Sequence, residues 1–367
     1  MTSTRSPASA LFSRDYEQAR LRFLEAAAAR GAAVESAVLE GLRGARGEEL
    51  AIDAALLGAR GARKVLLVSS GTHGPEGFAG SAAQLALLQD QDLLQRAGDG
   101  GVALLLVHAV NPYGFSHLQR TNEDNVDLNR NHIDFRRPLP DNPAYAEIEP
   151  LLMPRQWPPG PRERKALQDW IERHGLPAYR KAVTAGQYAS PDGVFYGGTG
   201  PTWSNRSLRE LLRRHAAAAT HLGWVDIHTG LGPYGHGEKI YAGRSLEQDH
   251  AMARAWWGAD LFAPFAGDSV SADVSGPVVS AACDECPSAR LALMGLEFGT
   301  VEQEEVLGCL RQHAWLRRHP EAPLALREQL ARRMREAFCC DDEAWRGMVL
   351  GQTRVALLQA VQGLRAA

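Results

Sequence analysis

The clearest pattern along the chain is a set of short, unbroken apolar runs, each closed by glycine or a polar turn. KVLLVSSG (64–71) and GVALLLVHAV (101–110) are the strongest. Runs of this length without alternation fit strands covered on both faces of a sheet. ELAIDAALLG (49–58), LGWVDIHTG (222–230) and RLALMGLEFGT (290–300) read as further strands. GFAGSAAQLALLQ (77–89) reads as a helix between the first two, and RDYEQARLRFLEAAAARG (14–31) as an amphipathic helix ended by Gly31. Helices are also expected at 162–188, 205–219, 301–318, 323–338 and 341–364, which makes the end of the chain, 301–364, helical. The Pro-rich stretch at about 136–162 is expected to run irregularly over the surface. Strand–helix–strand order of this kind predicts an α/β fold with right-handed crossovers. No internal repeat and no clean linker interrupts it, so residues 1–367 are expected to form a single domain.

That pattern also places the polar motifs. In open α/β sheets ligands gather beyond the carboxyl ends of the strands. His73 follows the run at 64–71, Asn111 follows 101–110, His228 stands near the end of 222–230, and Glu297 near the end of 290–300.

Composition narrows the class. The 367 residues are 45% apolar and 23% charged with a net charge of −3, as expected for a globular chain with a sizeable core. Arginines are interleaved with acids, so no nucleic-acid surface is expected. No run approaches the ~18 apolar residues of a membrane helix, and the start lacks a signal-peptide core. Five cysteines, an odd number in a long chain, fit a reducing compartment, and the protein is expected to be cytoplasmic. The lone C-x-x-C of Cys283 and Cys286 reads as structural or incidental.

GTHGPEG brings His73 and Glu76 three apart on a strand-to-helix turn, where glycines let both side chains face one point. A catalytic Zn²⁺ takes three protein ligands, often two His and one Glu, and leaves a place for water. Among twelve histidines one H-x-x-E is expected by chance, so His73 also reads as a loop histidine bonded to backbone. His228 is a third candidate ligand, although a histidine ending an apolar strand is more often a satisfied core or rim residue; Asp226 reads as structural. The segment NPYGFSHLQRTNEDNVDLNRN (111–131) packs twelve Asn, Asp, Glu, Gln, Arg or His side chains directly behind a buried strand. Such density is costly unless the groups bond to each other, to water or to a ligand. Glu297 is a carboxylate within an apolar run. Burial would raise its pKa toward the value a general base needs, whereas a strand-end glutamate reaching solvent is the plain alternative. YGGTG (196–200) lacks the end of a phosphate-binding loop, and His108 reads as a core histidine.

Taken in order, H-x-x-E, N-P-x-G-F, an arginine, D-x-N-R-N, a strand-end I-H and a strand-end E-F resemble the zinc carboxypeptidase (carboxypeptidase A-like) superfamily. The wording SSGTHGPEGFAGS, VDIHTGLGPYGHGE and LEFGT is closest to a mostly bacterial metallopeptidase-like group related to aspartoacylase and succinylglutamate desuccinylase. The similarity covers about 45–320. It implies a mixed central sheet flanked by helices and one Zn²⁺ held by His73, Glu76 and His228. It further implies Glu297 as general base, Arg120 as oxyanion stabiliser, Asn129 and Arg130 as holders of a substrate carboxylate, and Asp127 orienting His73. The substrate so implied is a small peptide or an N-acyl amino acid. A substrate-covering tyrosine does not align; Tyr234 and Tyr241 are candidates. The competing classes are an N-acyl amino acid deacylase and a non-catalytic metal- or ligand-binding module.

Overall fold

The computed structural model describes residues 7–264, 269, 271 and 274–367. Eight strands form one mixed sheet: β1 (Ala33–Val38), β2 (Ala51–Leu57), β3 (Lys64–Ser69), β4 (Val102–His108), β5 (His221–Tyr234), β6 (Gly237–Tyr241), β7 (Leu261–Phe262) and β8 (Arg290–Gly299). Their spatial order is β1-β2-β4-β3-β5-β8-β6-β7. The four central strands β4, β3, β5 and β8 run parallel; β1, β2 and β6 pair antiparallel at the flanks.

The apolar runs form the centre because both faces of it are covered. On β3, Leu66 and Val68 enter one core while Val65 and Leu67 enter the other. The first core lies under helices Tyr16–Ala29, Gly77–Gln89 and Glu343–Ala366, and the second under Trp203–His215. Helix Gly77–Gln89 is buried nearly all round, which explains why it lacks a polar face. A third cluster, including Ile148, Tyr179, Phe195, Leu307 and Phe338, packs helices Pro143–Leu152, Leu176–Thr184, Gln303–Arg318 and Leu324–Phe338 against one another.

After β3 the chain crosses to β4 on one side, and β5 later lies against the other side of β3. This reversal opens a crevice at the carboxyl ends of β3 and β5, the place where open α/β sheets bind ligands. His73 follows the end of β3 there, and His228 stands on β5 just past the last residue paired with β3.

The α/β expectation with a mixed, helix-flanked sheet agrees with this architecture. Two local expectations do not. The Pro-rich stretch contains the helix Pro143–Leu152, started by Asn142, whose side chain accepts from Tyr145 N at 3.0 Å. Pro143 at the first helical position gives up an N–H that would have had no partner. The single helix expected over 162–188 is two, Pro161–His174 and Leu176–Thr184, broken at Gly175, whose φ is +87°.

Candidate metal centre

The turn after β3 is shaped by two glycines. Gly71 adopts φ +65°, and a Cβ on Gly74 would lie 2.0 Å from the Gly114 carbonyl carbon. Only glycines let the backbone turn here and press against the segment after β4. The turn presents His73 and Glu76, and neighbouring β5 presents His228; they are 3%, 1% and 5% exposed.

One ligand atom from each of the three lies within 4.8 Å of the others. Both imidazoles turn Nδ1 toward Glu76, His73 to Oε1 and His228 to Oε2, each at 2.8 Å. Both turn Nε2 to a carboxylate: His73 to Asp127 Oδ1 at 3.2 Å and His228 to Asp226 Oδ2 at 2.6 Å. Carboxylates on the far ring nitrogens are how metal-binding histidines are oriented and made more basic. Ligands at ~2.1 Å around a tetrahedral zinc stand roughly 3.4 Å apart, so three atoms this close fit the ion with small movements. Among the described residues this is the one cluster of three or more His, Cys, Asp or Glu with such geometry.

Asp127 binds more than His73. It accepts from Arg120 Nε at 2.9 Å and from the Asn129 backbone at 2.9 Å. Burial works against its charge, but Arg120, Arg130 and His73 hold its carboxyl well below the usual range. Arg120 is thereby fixed, with Nη1 3.5 Å from Glu76 Oε1 and its guanidinium 4.9 Å from the Phe195 ring. Arg130 lies over the same ring at 5.4 Å and donates to the carbonyls of Asn129 and Thr184 at 2.9 and 2.5 Å. Its buried Nε has no hydrogen-bond partner among the described residues. Asn129 Oδ1 accepts from Val278 N at 2.8 Å, which leaves the amide NH₂ as its donor.

Glu297 stands beside His228 in the β5–β8 register and beside Glu238 in the β6–β8 register. Removal from water, then the charge of Glu76, pushes its carboxyl up to about 8, against the pull of His228 and Arg120; Glu238 adds to the rise. The His228 imidazole is opposed by burial, yet Asp226 and Glu76 hold it well above its ordinary value.

The structure thus brings His73, Glu76, His228, Glu297, Arg120, Asn129, Arg130 and Asp127 to one place. Of the two candidate tyrosines, Tyr241 lines a cavity together with His228, Asn129 and Glu297, whereas Tyr234 is not among the residues that line it. Tyr234 is half exposed and bonds Asp342, and Tyr241 donates to the Arg244 carbonyl at 2.7 Å. Asp226, read as structural, orients His228 and also accepts from Ser69 and Thr72. Its place two residues before His228, on the same strand face, is the signal for that role. Phe195 gave no such signal. It holds φ +53°, rare for an aromatic residue, on the loop that carries YGGTG. Asn131 secures that loop by donating to the carbonyls of Gly197 and Gly200, each at 2.9 Å. His108 is a core histidine: stacked on Phe23 at 4.7 Å, with burial pushing it down to about 3.

Residues 12–352 match the family described as "Protein of unknown function (DUF2817)". The chain belongs to this family. No curated protein matches the sequence. Solved structures similar to this family member include bovine thrombin-activatable fibrinolysis inhibitor in complex with tick carboxypeptidase inhibitor. That likeness has 12% identity and a TM-score of 0.47, covering 96% of this chain and 97% of the other. Carboxypeptidase A from Helicoverpa armigera is similar at 14% identity and a TM-score of 0.46, covering 93% and 78%. A metallo-carboxypeptidase from Burkholderia cenocepacia is similar at 14% and 0.40, covering 95% and 68%. No helix among the described residues is long and apolar enough to cross a membrane.

Proposed function

We propose that the protein is a zinc-dependent hydrolase that cleaves an amide or peptide bond next to a free carboxylate. The observation that carries this reading is the pair of imidazoles that both face Glu76 through Nδ1 and are both tied through Nε2 to buried carboxylates. Two histidines and a glutamate are a donor set suited to a catalytic zinc. One ion held by His73, Glu76 and His228 would supply Lewis acidity for the carbonyl and lower the pKa of a water to about 7.

The remaining work falls to the chain's own groups. Glu297 accepts a proton from the attacking water and hands it to the amide nitrogen as the C–N bond breaks. One water is consumed, and an acid and an amine leave. Arg120, locked by Asp127, faces the oxygen on which negative charge builds. Arg130 and the Asn129 amide bind the substrate's carboxylate, an anion suited to a guanidinium and an amide donor. Asp127 and Asp226 keep the two histidines turned toward the ion.

The test is Glu297→Gln in zinc-loaded protein, assayed on dipeptides and N-acyl amino acids. Hydrolysis should fall by roughly 10²–10⁴ while zinc content stays the same. Unchanged hydrolysis would remove Glu297 from its role.

A further inference from the structure

β1 closes one side of the sheet, and among the described residues it pairs with β2 alone. Two contacts fix which way its backbone groups point. Leu39 N donates to Leu50 O at 2.8 Å, across the gap between the two strands. Ala51, opposite Val38, instead donates its N–H to the Tyr16 hydroxyl at 2.9 Å and accepts from it at 3.2 Å. Bonded and non-bonded pairs alternate along an antiparallel ladder. Ala33, Glu35 and Ala37 therefore bond toward β2, while Val34, Ser36 and Val38 turn three N–H and three C=O groups outward.

Open edges invite pairing, and proteins usually blunt them with proline, lysine, a bulge or brevity. β7, at the other side of the sheet, is brief: Leu261–Phe262 only. β1 has none of these devices. It reads AVESAV, and its six pairs with β2 run without a shift in register. Its one charge, Glu35, is tied to Arg214 and His215 of the helix Trp203–His215. Ten large apolar side chains are exposed among the described residues, and four of them, Leu21, Val34, Val38 and Leu42, lie between positions 21 and 42. That stretch is the helix Tyr16–Ala29, β1 and the turn after it. Apolar exposure gathered in this way marks an interaction surface.

The edge is complementary to itself about Ser36. With a two-fold axis there, Val34 of one copy lies opposite Val38 of the other, and Ser36 opposite Ser36. All the outward N–H and C=O groups of both strands then find partners, and the facing β-branched pairs add to the pairing. Glu35 falls opposite Ala37 of the second copy, not opposite the other Glu35. Ala37 borders a groove between β1 and the helix Trp203–His215, where Arg206, Arg213 and Arg214 stand with Glu35 and Glu210. Arg206 donates to the Pro201 carbonyl rather than to a carboxylate. Each copy's Glu35 thus brings negative charge to a groove in which arginines outnumber acids, and the axis repeats the exchange.

We infer that the open edge of β1 pairs antiparallel with the same edge of a second copy of this chain, about an axis at Ser36, joining the two eight-stranded sheets into one. A closed, isologous contact of this kind uses up the edge and ends at a dimer. It is independent of the hydrolase reading, because β1 contributes nothing to the metal centre.

The test is the mass in solution of the full-length chain at tens of micromolar, by sedimentation equilibrium, with folding checked by circular dichroism. Wild type should have twice the chain mass. Val34→Lys should weaken the dimer by about tenfold or more, since the axis counts each substitution twice. Adding Val38→Glu to Val34→Lys should restore it, because this register alone sets each introduced lysine opposite the other copy's introduced glutamate. Ser36→Cys should form a covalent dimer with oxidised glutathione where wild type does not, since residues facing each other in a bonded pair stand about 5.5 Å apart, within disulfide reach. A monomeric wild type would leave the edge to an extended segment of another protein and overturn the proposal. So would a dimer indifferent to Val34→Lys, or one that the second substitution fails to restore.

Discussion

Asp226 and His228 lie two residues apart on one strand face and meet at 2.6 Å, carboxylate oxygen to Nε2. The contact leaves Nδ1 as the nitrogen facing Glu76 and sets the ring before any ion arrives. Asp226→Asn should therefore weaken zinc binding by roughly 10–100-fold, the usual cost of losing such an orienting partner. Competition with a chromogenic chelator measures this. Unchanged affinity would mean that the strand alone orients the ring.

Proton release should accompany zinc uptake. A histidine can bind an ion only when that nitrogen is unprotonated, and Asp226 and Glu76 hold His228 well above its ordinary value, so the ion competes with a proton there. Zinc affinity should rise with pH from 6 to 8. Calorimetry in buffers of different ionisation enthalpy should show about one proton leaving per ion near neutrality.

The zinc-free protein should respond to pH in the opposite sense. The raised values of His228 and Glu297 mean that the folded chain binds more protons than the unfolded chain around neutrality and above. The stability from His228 is complete below its unfolded value and is lost as pH rises through its folded one, and the contribution of Glu297 fades in the same direction as pH rises toward 8. Tm of chelator-treated protein should fall between pH 7 and 9, and added zinc should remove most of that fall. A flat profile without zinc would contradict the assignment.

Arg120 and Arg130 should separate kinetically. Arg120→Ala should lower kcat/KM by about 3–4 kcal/mol of transition-state stabilisation, chiefly in kcat. Arg130→Ala should raise KM for substrates bearing a carboxylate far more than for their amides. Equal effects of Arg130→Ala on both would end its proposed role.

How much of this was legible depended on where each residue gets its partners. β3, β4, β5 and β8 are buried on both faces, so their apolar runs announce them. β1 is an edge strand with mostly exposed residues, and β6 is a short stretch after a glycine-rich turn that pairs with β8 only once the sheet exists. Neither carries a local pattern strong enough to read. The ligands were legible because His73 and Glu76 share one turn and His228 closes the apolar run WVDI on β5. Phe195 was not, since a ring placed under two guanidiniums by a distant loop leaves no spacing to recognise. The Pro143–Leu152 helix was masked by prolines that, at its start, cost the helix nothing.

The most direct test of the central claim is zinc content after exhaustive dialysis against metal-free buffer. The account predicts close to one zinc per chain in the wild type and a large loss in His73→Ala and His228→Ala, with both variants still folded by circular dichroism. Folded wild-type protein that holds no zinc and takes up none at micromolar concentration would contradict it.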